Sequence, residues 1–378
     1  MKDLIDKLPV PLNRRSFVKK TLATAGTTAA GAALLTGSKS AFAKEMEDSP
    51  GHLTKGDAAL LRFAAAAEIL ETDFWVQYNE LAGVQDNEFP GAGGSGNPEY
   101  QEKFEAIDDD FPQYIHDNTD DELTHWKFLN AYLMSKGADP VNLERFRTLP
   151  GSTATGSTGQ LRLTNLMQLT LDTSWYTRYR DDTHNPDLDP NFVFPQAQPG
   201  LAKGQWTAIP RTDDDLTPDD HLQAIVNTAM WHMPTIEQGG SSLYPSMAQR
   251  ASSVETLRIL ISIGPTETMH FQTWSDLAGD TPAITDPTNG LTFVDLNSPP
   301  FGGELFTTSL IMPEPCPFIS HNLPTCSVVR PTKTEGVATG ALKFLTDMGL
   351  FIGQSPDFFE FMKRLARDAD NARRGVGH

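Results

Sequence analysis

Apolar residues recur at intervals of three and four over long stretches of the chain, which is the spacing of one buried face of an α-helix. The clearest stretch is 56–83, where good helix formers dominate and Gly83 provides a stop signal. A second helical region covers 101–136, and we expect it to break near Pro112 because proline lacks an amide hydrogen. The same spacing predicts further helices at about 161–180, 220–249 and 252–277, and one or two within 336–375.

The stretches between these helices are rich in proline, glycine and aspartate. The longest are 181–219 and 278–333, neither of which has a clear hydrophobic period. Nothing in the pattern predicts a substantial sheet, although several short strands fit within 280–333. The sequence therefore predicts an all-α fold with long irregular connections.

The first 43 residues have the pattern of an export signal rather than of a folded element. Arg14 and Arg15 are followed by a polar residue and then by Phe17 and Val18, and a weakly apolar stretch leads to a small-residue cleavage sequence that ends at Ala43. This order resembles a twin-arginine signal peptide. We therefore expect the twin-arginine export machinery as a partner and a periplasmic or extracellular location. We expect no membrane span in the mature protein, because the apolar stretch is short and small-sided.

The composition is globular, with 39 % hydrophobic and 21 % charged residues, and the formal net charge is −19. This negative charge argues against nucleic acid and anionic membranes as partners, because both present phosphate groups that the protein would repel. The sequence leaves open whether copies of the chain form a homo-oligomer.

Two cysteines, Cys316 and Cys326, lie close together in the stretch PCPFISHNLPTC. Outside the cytoplasm such a pair is most simply a local disulfide. A reactive thiol pair, or a zinc site that also uses His321, are the alternatives.

Two of the predicted helices carry a glutamate and a histidine three residues apart. These are Glu122 and His125 in DELTH, and Glu267 and His270 in TETMH. The spacing puts both side chains on one helix face, so that they can reach the same atom. Burying such groups in an apolar helix is costly unless they are paired or bind a metal. One motif is weak evidence, but two in apolar helical segments favour a shared site.

The other two long predicted helices also carry carboxylates in apolar surroundings. Glu68 is followed seven residues later by Trp75, and Glu237 is followed seven residues later by Tyr244. The chain therefore contains, twice, a glutamate helix with an aromatic residue two turns on, and then a Glu-x-x-His helix. This order indicates an internal pseudo-repeat. Glu71, one turn after Glu68, is a rival ligand on the first helix.

Four carboxylates and two imidazoles from four helices are the ligand set of a di-metal site inside a four-helix bundle. Two divalent ions bring four positive charges into an apolar core, and four carboxylates neutralise them. The imidazoles complete a mixed nitrogen and oxygen shell that suits iron or manganese, with zinc as a common substitute. The predicted cofactors are therefore two iron or manganese ions.

In these motifs the chain resembles the ferritin-like superfamily, and more narrowly the ferritin-like domain of desiccation-related and stress-response proteins. The matching stretches are AEILETDFW, DELTHWKFL, TIEQGGSSLY and ISIGPTETMH. The resemblance implies a ferritin-like four-helix bundle within 44–277, with an insertion at about 138–219. It leaves 278–378 as a Pro/Gly-rich wrap and C-terminal helices that pack on the bundle.

Carried over position by position, the resemblance implies six metal ligands: Glu68, Glu122, His125, Glu237, Glu267 and His270. It also implies five supporting residues around them: Glu71, Asp121, Thr266, Trp75 and Tyr244. We expect Asp121 to accept a hydrogen bond from the ring nitrogen of His270 that does not face the metal. Thr266 occupies the matching position opposite His125.

The chain departs from the family's pattern at three places. Trp75 stands where many relatives have tyrosine, and Gly264–Pro265 is expected to bend the last bundle helix just before Glu267. Gly239–Gly240 loosens the third helix after Glu237. These departures either open coordination positions or mark a site that has decayed.

The resemblance implies redox chemistry with dioxygen or peroxide, as metal oxidation or peroxide removal, in protection against stress. One alternative is a metal-free structural or binding bundle, and another is a di-iron oxidase of a small organic substrate whose pocket is covered by 181–219. The three functions require different structures. A metal enzyme needs all six ligands to converge, a decayed bundle leaves at least one facing solvent, and an oxidase of an organic substrate needs an open cavity that reaches the ions.

Overall fold

The structure is a computed structural model that describes residues 53–86, 93–301, 315–328 and 335–374. The predicted export signal, 1–43, lies outside these residues. The described part contains eight α-helices: α1 (Lys55–Ala82), α2 (Pro98–Glu105), α3 (Phe111–Ser135), α4 (Ser174–Arg178), α5 (Asp219–Ala248), α6 (Val254–Gly279), α7 (Val337–Asp347) and α8 (Pro356–Asp370). It also contains two 3-10 helices, Glu144–Phe146 and Asp213–Leu216.

The four long helices, α1, α3, α5 and α6, form the all-α bundle that the sequence predicts. α1 packs against α3, and α5 packs against α6. The Asp57 carboxylate in the first turn of α1 accepts hydrogen bonds from the amides of Ser252 and Ser253, at 2.8 and 3.0 Å. Ser253 in turn caps α6, because its hydroxyl accepts from the amide of Thr256. Asp57 therefore connects the beginning of α1 to the beginning of α6.

The second helical region consists of two helices, and Pro112 is not where it breaks. α2 ends at Glu105 and α3 begins at Phe111, so that Pro112 lies in the first turn of α3. A proline is tolerated there because the first amides of a helix have no partner within it. The break falls at 106–110, where the side chain of Asp108 accepts from the amide of Asp110 at 2.9 Å.

The helix predicted at about 161–180 is wrong over most of its length, since only Ser174–Arg178 is helical. The amides of Leu163 and Thr164 donate instead to the buried Asp73 carboxylate of α1, both at 2.9 Å. Further along, Leu169 pairs with Trp206 through two backbone hydrogen bonds of 2.8 Å. Four leucines of this stretch are buried as the pattern suggested, Leu163, Leu166, Leu169 and Leu171, whereas Leu161 is exposed. The backbone is irregular because distant partners occupy amides that a helix would use.

The C-terminal helices cover the outside of the bundle. α8 packs on α1, and α7 packs on α5 and α8. No helix within the described ranges combines the length and the hydrophobicity that a membrane crossing requires.

Two short strands, β1 (Pro315–Cys316) and β2 (Cys326–Ser327), pair in an antiparallel ladder that places Cys316 opposite Cys326. Both thiols are nevertheless free, so the disulfide predicted from the sequence is not present in the structure. Cys316 is buried, and its sulfur accepts a hydrogen bond from Asn185 Nδ2 at 3.7 Å, whereas Cys326 is exposed. The two sulfurs therefore lie in different surroundings although the residues face each other in the ladder.

Candidate metal centre

The six side chains that the sequence singled out as ligands converge between the four long helices. One glutamate comes from α1 and one from α5, and each of α3 and α6 contributes a glutamate and a histidine. All four glutamates are at most 1 % exposed. The side chains of His125 and His270 are 11 % and 10 % exposed. None of the six faces solvent, which is the arrangement that a metal centre requires.

The six residues form two groups of four that share two carboxylates. The first group is Glu68, Glu122, His125 and Glu267, and the second is Glu122, Glu237, Glu267 and His270. In each group the ligand atoms lie within 4.8 Å of one another. Glu122 and Glu267 belong to both groups, so these two carboxylates are placed to bridge two ions. Glu68 and His125 would complete one end, and Glu237 and His270 the other.

Glu122 lies between the two imidazoles. Its Oε2 is 3.0 Å from Nδ1 of His125, and its Oε1 is 3.1 Å from Nδ1 of His270. The same nitrogens lie 3.2 Å from Glu68 Oε2 and 3.3 Å from Glu237 Oε2. Nδ1 of His125 is also 3.4 Å from Oε1 of the second shared carboxylate, Glu267. Both histidines therefore present Nδ1 to the centre, beside a shared carboxylate and a carboxylate of their own end.

One buried candidate ligand accepts no hydrogen bond within the described structure. It is Glu267, whose two carboxylate oxygens are both without a donor, although its Oε1 lies 3.4 Å from Nδ1 of His125. An unpaired polar atom in the core carries the full desolvation cost, and native proteins keep few of them. Here the carboxylate without hydrogen bonds lies among the other carboxylate and imidazole groups, which are ligands that iron or manganese accepts. The residues present therefore fit a di-metal centre.

The electrostatics of these groups are those of a site that holds positive charge. Burial raises the pKa of Glu68 to about 7 although His125 opposes it, and burial together with Glu122 raises the pKa of Glu267 well above its usual range. Burial lowers the pKa of His125, but the charge of Glu68 and the hydrogen bonds to Glu122 and Glu68 together outweigh this effect, and the pKa rises to about 12. Burial also opposes ionisation of Glu122, but hydrogen bonds from both imidazoles hold its pKa well below the usual range. In the metal-free protein, protons supply the charge that metal would bring.

The two aromatic residues of the pseudo-repeat support the carboxylate of the opposite half. Trp75 Nε1 donates to Glu237 Oε1 at 3.1 Å, and the hydroxyl of Tyr244 donates to Glu68 Oε1. Each hydrogen bond holds one oxygen of a glutamate that belongs to a single end of the centre. Trp75 and Tyr244 therefore act as equivalent donors in the two halves of the pseudo-repeat.

Asn118 contacts two of the candidate ligands, and the sequence interpretation missed it. Its amide nitrogen donates to Glu122 Oε1 at 2.9 Å and to Glu237 Oε1 at 3.1 Å, and its oxygen accepts from Trp274 Nε1 at 2.7 Å. It therefore fixes the position of one shared carboxylate, Glu122, relative to one unshared carboxylate, Glu237. Its position four residues before Glu122, on the same face of α3, is the signal that could have identified it.

The remaining supporting residues have different surroundings. The expected contact of Asp121 is present, with its Oδ2 2.9 Å from Nε2 of His270. Thr266 instead directs its hydroxyl to the carbonyl of Ser262 in its own helix, at 3.5 Å. Glu71 is buried but belongs to neither group of four, so the structure favours Glu68 as the ligand from α1.

The glycine pair on α5 lies directly beside the centre. A Cβ atom at Gly240 would lie 2.6 Å from Oε2 of Glu267, whereas a Cβ atom at Gly239 would meet nothing within 4 Å. Gly240 therefore provides room for a shared carboxylate. Both residues are helical, and α5 and α6 continue without interruption through Gly239–Gly240 and Gly264–Pro265.

A cavity of about 490 Å³ adjoins the Glu68 end of the centre. Glu68, Glu71, Gly240 and Tyr244 line it on the side of the bundle, and α7 and α8 contribute to the opposite wall. Apolar side chains form most of its surface.

A family model for the ferritin-like domain matches residues 56–280, which is more than half of the chain. Comparisons with curated proteins and with solved structures found no match. The matched region contains all four bundle helices and all six candidate ligands. The chain therefore belongs to the ferritin-like domain family.

Proposed function

We propose that this protein is a di-metal carboxylate protein that performs redox chemistry with dioxygen or peroxide. The observation that carries the proposal is the Glu267 carboxylate, whose two oxygens are buried without a hydrogen bond among five other ligand-type side chains. A metal-free structural bundle would have no reason to keep this carboxylate without hydrogen bonds. Two ions beside it would give both oxygens a partner.

The protein's own residues would position and shield the ions. Glu122 and Glu267 would bridge them, and the four unshared ligands would close the two ends. Asp121 holds the ring of His270 through Nε2, so that Nδ1 is left to face the metal. Trp75 and Trp274, with ring centres 5.2 Å apart, pack beside the centre and would shield the Glu237 end from water.

When bound, two iron or manganese ions would supply the electrons for reduction of dioxygen or peroxide. We further propose that the protein is exported by the twin-arginine route and acts in stress protection, as desiccation-related relatives are expected to do. The support for export is the Arg14–Arg15 pattern and the cleavage sequence ending at Ala43. A protein that leaves the cell in the folded state could carry metal acquired in the cytoplasm.

The first test is the metal content of the purified protein, measured by elemental mass spectrometry after expression with added iron and manganese. We expect about two ions per chain. Glu267→Gln should lose most of this metal, because the amide nitrogen cannot coordinate. Glu255→Gln is the matched control, since Glu255 lies on the same helix but outside the centre. Its carboxylate pairs with Lys136, with 2.7 Å between Oε2 and Nζ.

The outcomes separate the proposed functions. Two iron or manganese ions that are lost only in Glu267→Gln would support the di-metal protein and identify the metal to assay with peroxide or dioxygen. A parent protein that binds no metal under these conditions would refute it and favour the structural bundle.

A further inference from the structure

The cavity beside the Glu68 end of the centre is too large to be a packing defect. Protein interiors contain few voids larger than a water molecule, whereas small-molecule sites range from about 300 to 1,000 Å³. At about 490 Å³ this cavity falls within that range. It runs from the surface, where Asp172, Glu335 and Gly336 are exposed, to the buried side chain of Glu68.

The wall of the cavity is built from the bundle on one side and from the C-terminal helices on the other. Phe63, Phe74 and Leu243 lie on bundle helices, and Leu345 and Met362 lie on α7 and α8. Apolar atoms contribute most of the lining surface, so that a ligand would be held mainly by burial of apolar area. Gly239 leaves the wall open, since a Cβ atom there would meet nothing within 4 Å.

The charged groups around the cavity select against an anion. Asp172, Asp187 and Glu335 line it together with the buried Glu68 and Glu71. Among the described residues of the lining, Arg178 carries the positive charge, and its Nη2 donates to Gln238 Oε1 at 2.7 Å. A carboxylate or sulfonate would therefore enter a lining with an excess of acidic groups.

We propose that this cavity binds an uncharged, largely apolar organic molecule and presents one end of it to the Glu68 side of the metal centre. The proposal rests on the proposed function, which it deepens by naming the class of substrate. Binding itself needs only the cavity. The two proposals can therefore fail separately.

The test uses two fluorescent probes that share one ring system. N-phenyl-1-naphthylamine is uncharged, and 8-anilino-1-naphthalenesulfonate adds a sulfonate. We expect saturable binding of one uncharged probe per chain, at least tenfold tighter than binding of the sulfonate. Equal or tighter binding of the sulfonate would contradict the assigned chemistry, and absence of saturable binding of the uncharged probe would overturn the site.

Two variants fill the cavity from opposite walls, Gly239→Phe on α5 and Ala341→Trp on α7. Each should weaken binding of the uncharged probe at least tenfold. The matched controls, Gly239→Ala and the exposed Lys343→Trp on α7, should bind as the parent does. Circular dichroism checks that each filling variant folds, and if one does not, the other tests the location of the binding site. Unchanged binding of the uncharged probe in a folded filling variant would refute that location.

Two further measurements relate the cavity to the metal centre. Glu267→Gln should bind the uncharged probe like the parent even if it binds no metal, so that loss of metal and loss of the cavity are distinguished. In protein loaded with Mn²⁺, the proton NMR signals of bound N-phenyl-1-naphthylamine should broaden relative to Zn²⁺-loaded protein. Equal line widths would show that the molecule lies away from the centre and would overturn its placement.

Discussion

The indole of Trp75 on α1 donates a hydrogen bond to Glu237 on α5, with 3.1 Å between Nε1 and Oε1. The reciprocal contact joins Tyr244 on α5 to Glu68 on α1. Seven residues are about two helical turns, so each aromatic side chain leaves the same face as the glutamate of its own helix. It reaches the glutamate of the other helix, and each half of the pseudo-repeat therefore orients a ligand of the other half.

Loss of either aromatic donor should weaken metal binding without abolishing it. Removal of a group that orients a ligand typically costs about 10- to 100-fold in metal affinity. We expect losses of that size for Tyr244→Phe and Trp75→Phe in competition titrations with a chelator. Tyr132→Phe is the control, because its hydroxyl donates to Glu255 away from the centre, at 2.8 Å. Equal affinities in all four proteins would show that these hydrogen bonds do not support the ligands.

Glu267→Gln should stabilise the metal-free protein while it removes metal binding. Both carboxylate oxygens of Glu267 are buried without hydrogen bonds, and a neutral amide is less costly to desolvate than a carboxylate. We expect the free energy of unfolding to rise by about 1–3 kcal/mol. Urea unfolding in the presence of a chelator measures this change, with Glu255→Gln as the control. A decrease in stability would indicate that the ion pair of Glu267 with His125, at 3.4 Å, outweighs the cost of burying the carboxylate.

The stability of the metal-free protein should also depend on pH through this residue. Burial, followed by the charge of Glu122, raises the pKa of Glu267 well above its ordinary value of 4.5. The folded chain then holds a proton that the unfolded chain releases. The contribution of this proton to the free energy of unfolding is therefore fully present below pH 4.5 and is lost as pH rises towards the folded pKa.

The measurement is the free energy of unfolding of the metal-free parent and of Glu267→Gln from pH 5 to pH 8. The parent curve should fall relative to the variant by at most about 1.4 kcal/mol per pH unit, the limit for one proton. Burial lowers the pKa of His232 to about 3, so that its contribution to the pH dependence has the opposite sign. Subtracting one curve from the other cancels this contribution, because both proteins contain His232. A difference that stays constant with pH would contradict the raised pKa.

The two glycines of α5 should respond differently to the same substitution. Gly240→Ala would place a Cβ atom 2.6 Å from Oε2 of Glu267, so that the carboxylate has to move and metal affinity should fall about tenfold or more. Gly239→Ala meets open space and should raise stability by about 1 kcal/mol, because alanine favours the helix. Metal titration and thermal unfolding of both variants measure these effects. Identical metal affinities of Gly240→Ala and the parent would indicate that the Glu267 carboxylate can shift without loss of metal binding.

Asp121→Ala should lower metal affinity through His270. The Asp121 carboxylate lies 2.9 Å from Nε2 and favours the tautomer that leaves Nδ1 free for metal. We expect about a tenfold loss of affinity, with the number of ions at saturation unchanged. Asp117→Ala on the same helix is the control, since Asp117 is exposed and bonds to Gln113 at 2.6 Å. A loss in both variants would point to general weakening of α3 instead.

Much of the bundle could be predicted from the sequence because helical period and ligand spacing are local properties. The pairs Glu122–His125 and Glu267–His270 share a helix face wherever the helix lies, and the period of three to four located α1, α5 and α6 to within a few residues. The same reasoning failed at 161–173. There the apolar spacing is helical, but Asp73, Trp206 and other distant groups bond to the backbone amides.

The sequence by itself determined which helices carry the candidate ligands and which residue types meet at the candidate centre. Only the tertiary structure decided that Glu122 and Glu267 are shared between the two ends, that Asn118 joins Glu122 to Glu237, and that a cavity opens beside Gly239. The physical reason is that sharing, hydrogen bonding and empty space depend on groups far apart in the chain. Periodicity along one helix carries no information about which atoms of another helix it will meet.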